Sequence, residues 1–392
     1  MPQPLHRCLD ALASLKLTVA LFALSMCLIF AGTLAQVHGG IWDVMAGYFR
    51  TPIAWIELQL FVPKQLATVP GVVPFPGGYL LGGLLIVNLL AAHAVRFKLS
   101  AKRAGIIVLH LGVIVLLVGE FVTGLLADEG LMTIDEGSHA SFVEDIREAE
   151  LVVMDRSDAE VDDVVAVPES MLTTPGRTVR HDALPFDITV EQWLPNSRLF
   201  NVPPGTPTRA TLGAGLQLDV REQPPATGVE GNTIDWPTAY ITLHRGGRPL
   251  GTWLVSTFIQ NPMQPVTVDG RTYHIALRFK RTYKPYTLHL LEFRHDRFVG
   301  TQTPRNFSSR IRLVDPTQNE DREAVISMNN PLRYDGATFY QSAYKEGDVG
   351  TVLQVVRNPG WLLPYVACSL VALGMLIHFG MHLVRFVGRA VR

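Results

Sequence analysis

The pattern of apolar residues along this chain contains four long, predominantly apolar stretches, each close to the length that a helix needs to cross a membrane. A spanning helix requires about 20 predominantly apolar residues, within a range of roughly 17–25. The pattern therefore predicts transmembrane helices at residues 15–35, 79–95, 105–126 and 361–383. The first stretch exceeds the apolar core of a secretory signal peptide and ends in a poor cleavage site, so we interpret it as a retained helix.

The long segment at residues 127–357 has a different pattern, in which short runs of apolar and polar residues alternate between turn signals. Runs rich in Val, Ile, Thr and aromatic residues are typical of strands. They predict strands at residues 150–155, 186–193, 239–244, 272–279, 287–293, 309–314 and 337–344. The predicted fold is a membrane protein with four transmembrane α-helices. A large extracytoplasmic β-rich domain, a sandwich or open barrel, is inserted between helices three and four.

The distribution of positive charge predicts the orientation of the helices. The loop between helices two and three has four basic residues and no acidic one: Arg96, Lys98, Lys102 and Arg103. Basic residues also lie at the start of helix one and after the end of helix four: Arg7, Lys16, Arg385, Arg389 and Arg392. Cytoplasmic loops carry an excess of Lys and Arg. Residues 1–14, 96–104 and 384–392 are therefore expected in the cytoplasm, and residues 36–78 and 127–357 on the other side of the inner membrane.

Composition and motifs exclude several functional classes. The formal net charge of −1 gives no case for a nucleic-acid partner. The three cysteines are Cys8, Cys27 and Cys368, so residues 127–357 contain no disulfide framework, redox pair or covalent haem-attachment motif. The chain also lacks the usual motifs of hydrolases and nucleotide-binding enzymes. No catalytic residue is predicted.

Histidines inside the predicted helices are the candidate site residues. His110 lies about five residues inside its helix, roughly 7–8 Å along the axis. An ionisable side chain at that depth is a functional-site hypothesis by default, and imidazole is a good ligand for haem iron. Weaker candidates are His93, His378 and His382, which lie near helix ends where a side chain can reach water.

The predicted orientation places all four of these histidines at a similar depth on the cytoplasmic side. His378 and His382 share one face of one helix, so they could not both be axial ligands of the same haem. Asn88, in the second predicted helix, is expected to hydrogen-bond to another helix.

The remaining histidines of the predicted β-rich domain are scattered along the sequence: His139, His181, His244, His274, His289 and His295. None of them has the paired spacing of a zinc site, so no metal is predicted beyond haem iron. His289 and His295 would share a face only if one strand runs unbroken through both.

Several segments, in order along nearly the whole chain, resemble the ResB/Ccs1/CcsB family of cytochrome c biogenesis proteins. These segments are SLKL at residues 14–17, GTLAQ at 32–36, LHLG at 109–112, EGLMTIDEG at 129–137, FVGT at 298–301, SS at 308–309, NPLRYDGATFYQS at 330–342 and NPG at 358–360. The RYDGATFYQS stretch is the most specific of them.

The resemblance implies a fold of three spans, a large extracytoplasmic domain and a fourth span. It implies a non-catalytic or co-catalytic subunit of a cytochrome c haem lyase, in the system II cytochrome c synthase. The implied partners are a CcsA-type tryptophan-rich membrane protein, apocytochrome c and thiol-reducing proteins. Haem b would be bound or transported and shared with the partner. His110 matches the family's haem axial ligand, and the opposite ligand is expected on the CcsA part. The six tryptophans of this chain are dispersed, so it resembles the CcsB half alone.

Two other functions fit the same residues. The first is a self-contained b-type haem membrane redox protein, in which His110 would be paired with His93, His378 or His382. The second is a structural anchor with an outer binding domain and no cofactor.

Overall fold

The computed structural model describes residues 9–390 except 38, 64–65, 97–99, 159, 204, 227–233, 261, 298–299, 301–303, 346 and 348. Predictions that rest on Arg7, Cys8, Lys98, Arg392 and residues 298, 299 and 301 lie outside the described residues. The chain forms two compact units. We call them the membrane unit, Met1–Asp128 with Arg357–Arg392, and the β unit, Glu129–Ala226 with Glu230–Val356.

Within the described residues, four helices are long and apolar enough to cross a membrane. They are α1 (Leu15–Ala35), α2 (Gly78–Arg96), α3 (Ala104–Leu126) and α4 (Leu363–Ala390). The predicted fold class is confirmed: four membrane helices, with a large β-rich domain between the third and the fourth in the sequence. The chain is therefore a membrane protein.

Asn88 is a buried polar residue that links α2 to the start of α1. Its side-chain oxygen accepts a hydrogen bond from Thr18 Oγ1 at 2.7 Å, and its Nδ2 donates to the carbonyl of Leu12 at 2.6 Å. The Asn88 side chain is only 3% exposed. The prediction that Asn88 binds another helix is confirmed. Because few alternative partners exist in an apolar environment, this contact fixes the position of α2 against α1.

We expect Asn88→Leu to lower the free energy of unfolding by about 0.6–2 kcal/mol, the range for hydrogen bonds between membrane helices. The measurement is the SDS concentration that unfolds the purified chain, followed by helical circular dichroism. Thr18→Val, which removes one donor and leaves the Asn88 amide in place, should have a smaller effect. Equal stability of Asn88→Leu and the wild type would contradict the structural role.

Helices α3 and α4 pack closely through glycines spaced seven residues apart on α3. Gly105, Gly112 and Gly119 are all buried. A Cβ added to Gly112 would lie 2.8 Å from the Ala367 carbonyl oxygen, and one added to Gly105 would lie 2.5 Å from the His378 backbone nitrogen. Small residues at membrane-helix interfaces let backbones approach in this way. The glycines therefore fix which face of α3 meets α4.

A short hairpin connects α1 to α2 in the membrane unit. Its strands are β1 (Ile53–Glu57) and β2 (Val72–Pro76). Ala54 and Ile56 are buried, whereas Trp55 on the opposite face is 61% exposed. Exposed tryptophans beside membrane helices are typical of the membrane–water interface.

The β unit is built mainly from one ten-stranded and one four-stranded sheet. Its strands are β3 (Asp128–Asp135), β4 (His139–Asp155), β5 (Asp163–Pro168), β6 (Thr178–Val179), β7 (Asp187–Leu194), β8 (Ser197–Asn201), β9 (Leu218–Glu222), β10 (Thr238–Arg245), β11 (Arg248–Ser256), β12 (Gln264–Val268), β13 (Arg271–Arg297), β14 (Pro304–Asp315), β15 (Glu320–Ser327), β16 (Leu332–Tyr334), β17 (Ala337–Tyr344) and β18 (Gly350–Arg357). The large sheet has the order β15-β14-β13-β4-β3-β18-β17-β16, with β5 added on β4 and β12 on β13. The four-stranded sheet has the order β11-β10-β7-β6, and β8 and β9 form a two-stranded sheet.

Strand β13 is longer than predicted and contributes to two hydrophobic cores. Leu277 belongs to the core formed with the four-stranded sheet, and Leu288 belongs to the core enclosed by the other strands of the large sheet. The pairing of β13 with β4 shifts register between Tyr283 and Leu288, and Pro285 lies inside this irregular stretch. Proline cannot donate to a sheet and is confined to edges and bulges. The two strands predicted at residues 272–279 and 287–293 are thus one bulged strand.

Candidate functional site

The structure brings His93 on α2 and His110 on α3 into direct contact. His110 Nδ1 lies 3.2 Å from His93 Nε2, which is a hydrogen-bond distance. The two rings meet edge to face, with centroids 4.9 Å apart and planes at 81°. His93 Nδ1 lies 2.9 Å from the Leu89 carbonyl oxygen, one turn earlier on α2. Two imidazoles from different helices therefore form one polar cluster between apolar segments.

The rotation of α3 explains why His110 faces α2. At 3.6 residues per turn, a residue five positions after Gly105 is rotated by about 140° around the helix axis. The glycine side of α3 packs against α4, so His110 lies on a different side. The glycine contacts and the histidine contact thus use separate faces of the same helix.

His378 and His382 form a second pair on α4. Their ring centroids are 4.6 Å apart. The backbone of His378 packs against Gly105, which lies about 7–8 Å along α3 from His110. His378 is half-buried and His382 is exposed. The four histidines are therefore arranged as two pairs, one between α2 and α3 and one along α4.

A third histidine pair, which no sequence pattern indicated, lies in the β unit. His139 and His289 are opposite each other on β4 and β13, with ring centroids 5.1 Å apart. Burial lowers the pKa of His289, and the neighbouring charges of His139 and Arg312 lower it further, against the opposing effect of Asp321. Among the described residues, no group of three or more His, Cys, Asp or Glu side chains could hold a metal ion.

His295 does not share the environment of His289, although the two are six residues apart on β13. The pairing with β14 shifts register between Leu290 and Glu292. His289 is opposite the exposed Arg312, whereas the His295 ring contacts Phe307 and Tyr344, with centroids 4.6 Å away in each case. The bulge breaks the alternation that an unbroken strand would have kept.

The motif RYDGATFYQS has a structural explanation. Asp335 and Gly336, both with positive φ (48° and 70°), form the two-residue turn between β16 and β17, as a type I′ hairpin requires. Tyr334 donates a hydrogen bond to Asp315 at 2.8 Å. Gln341 accepts one from Ser309 at 2.6 Å and donates one to Thr351 at 2.9 Å. The motif thus specifies a turn and a buried polar cluster.

The contact between His93 and His110 limits how these two imidazoles could ligate one iron. Metal–imidazole bonds are about 2 Å long, so two imidazoles on opposite faces of one iron hold their nitrogens about 4 Å apart. The closest ring nitrogens of His93 and His110 are 3.2 Å apart and hydrogen-bonded instead. In this arrangement the two rings could not both ligate one iron from opposite faces.

The comparisons with known proteins agree with this class of molecule, a membrane protein with a ResB-like domain. Residues 263–352 match the model of the ResB-like family. Protein NrfI of Wolinella succinogenes is 27% identical over 298 residues, which are 75% of this chain and 29% of the relative. Cytochrome c biogenesis protein CcsB of a Picosynechococcus species is 34% identical over 109 residues, 27% of this chain and 23% of the relative.

The chain contains a ResB-like domain, as the sequence motifs predicted. The matched segment runs from the start of β12 to the start of β18 and includes the β16–β17 hairpin. The matches cover less than a third of the length of either relative.

Proposed function

We propose that this chain is the CcsB/ResB-like subunit of a system II cytochrome c synthase. In this role it acts with a CcsA-type, tryptophan-rich membrane protein to transport haem across the membrane and attach it to apocytochrome c. The ResB-like match and the two relatives, one of which is named for cytochrome c biogenesis, support the general role. The observation that carries the haem role is the His110 imidazole, placed inside α3 and contacted by His93.

His110 is the proposed axial ligand of haem b, and the opposite ligand comes from the partner. A single ligating imidazole from this chain is consistent with the hydrogen bond between His110 and His93, which leaves the two rings unable to face each other across one iron. Shared ligation would hold haem only where both proteins meet. His110 would hold the haem from this chain, and the bound iron would supply the redox chemistry.

The β unit is proposed to lie outside the inner membrane, where it positions apocytochrome c or the outer loops of the partner. The described part of the β unit contains no cysteine that could exchange with a disulfide. Separate thiol-reducing proteins would therefore keep the apocytochrome cysteines reduced. The basic residues Lys102 and Arg103, which precede α3, support a cytoplasmic start of that helix.

The test is the absorption spectrum of the purified chain, alone and co-expressed with its partner. We expect a haem spectrum in the complex, at least about 10-fold weaker after His110→Ala, which is the scale for disturbing a metal site. His382→Ala, at an exposed position on α4, is the control and should keep the spectrum. Haem that binds the isolated chain and survives His110→Ala would contradict the proposal and favour the b-type redox protein.

A further inference from the structure

The hydrogen bonds of the cluster determine where its protons lie. A carbonyl oxygen only accepts, so the 2.9 Å contact with Leu89 places a proton on His93 Nδ1. A neutral imidazole carries one proton, so His93 Nε2 is then an acceptor. Charged histidines are costly in an apolar helix, which favours the neutral form.

The same reasoning extends to His110. Because His93 Nε2 accepts, the 3.2 Å contact requires a proton on His110 Nδ1. The neutral His110 ring then has its lone pair on Nε2, the atom at the far side of the ring from His93. Metal-bound histidines typically donate their other ring N–H to a fixed acceptor, which sets the tautomer and makes the ligand more basic.

We propose that His93 is a positioning residue for His110, and that it acts with the Leu89 carbonyl to present Nε2 of His110 to haem iron. This inference rests on the proposed function. It assigns His93 the role of a hydrogen-bond acceptor and removes it from the set of candidate ligands. The chain of contacts from the α2 backbone to His93 and then to His110 would keep the ring oriented before haem arrives.

The test compares two substitutions that differ only in whether an acceptor remains. His93→Leu removes the acceptor, whereas the side-chain oxygen of His93→Gln can accept from His110 Nδ1. Each variant of the full-length chain is purified with its partner and titrated with haem. The reduction potential of the bound haem is measured by a spectroscopic redox titration, because it follows the basicity of the axial ligand. His181→Leu, at an exposed position in the β unit, is the matched control.

We expect His93→Leu to weaken haem binding about 10- to 100-fold and to raise the reduction potential of the haem, because a ligand that loses its hydrogen-bond acceptor is less basic. His93→Gln and His181→Leu should keep wild-type values. Equal loss in His93→Leu and His93→Gln would show that His93 is itself a ligand and overturn the inference. If His93→Leu keeps wild-type values while His110→Ala loses haem, the inference about His93 is overturned and the proposed function stands. Haem retained in His110→Ala would overturn the proposed function.

Discussion

A chain with Gly112→Leu loses the close pairing of α3 and α4. A Cβ at this position would lie 2.8 Å from the Ala367 carbonyl oxygen and 2.9 Å from the Val371 backbone nitrogen. Both obstacles are backbone atoms, so no side-chain rotation relieves the clash and the helices must move apart. Gly112→Ala should cost about 1–3 kcal/mol, the usual cost of overpacking. The larger leucine side chain should abolish the native arrangement.

The measurement is the SDS unfolding midpoint, together with the rate of trypsin cleavage at Lys102 and Arg103 at the start of α3. Gly380→Leu is the matched control, because a Cβ at Gly380 on α4 would have no atom within 4 Å. It should leave both readouts unchanged. If leucine were tolerated equally at positions 112 and 380, the glycine contact would not be what holds these helices together.

The membrane helices were predictable because an apolar stretch of about 20 residues is a one-dimensional signal. The contact between His93 and His110 was not predictable. It depends on the rotation of α2 relative to α3, which is fixed by contacts with other helices, such as those of Asn88 with α1 and Gly112 with α4. The sequence could place the candidate histidines near one side of the membrane, but it could not pair them.

The β unit shows a similar limit. Alternating runs were recognised as strands because the period of two survives within a few residues. The bulges in β13 interrupt that period near Pro285 and again between Leu290 and Glu292. One long strand was therefore interpreted as two, and the relation between His289 and His295 could not be decided. Cross-strand neighbours such as His139 and His289 depend on register, which no local pattern contains.

The ion pair between Arg278 and Glu150 also joins residues far apart in the sequence, across β13 and β4. The two side chains are 6% and 10% exposed, and Arg278 Nη2 lies 2.8 Å from Glu150 Oε1. Removing one partner of a buried pair leaves an uncompensated charge, which costs about 3–5 kcal/mol. We therefore expect Arg278→Met to destabilise the β unit by this amount, because methionine cannot neutralise the carboxylate that stays buried.

A neighbouring pair on the same two strands is the control. Lys280 Nζ lies 2.6 Å from Glu148 Oε2, but these side chains are 50% and 58% exposed. Exposed pairs contribute about 0–1 kcal/mol, so Lys280→Met should have little effect. Thermal unfolding followed by tryptophan emission is a suitable readout, since Trp253 is buried in the core beside this part of β13.

The double variant Arg278→Met with Glu150→Leu separates two reasons for the expected loss. If the loss comes from the unpaired charge, replacing both partners with apolar side chains restores most of the stability, as found for buried pairs in general. If the ion pair itself supplies the stability, the double variant stays as unstable as the single one. A small, equal effect of Arg278→Met and Lys280→Met would mean that water reaches Glu150 in the folded chain. That result would contradict the burial of the Arg278–Glu150 pair between β4 and β13.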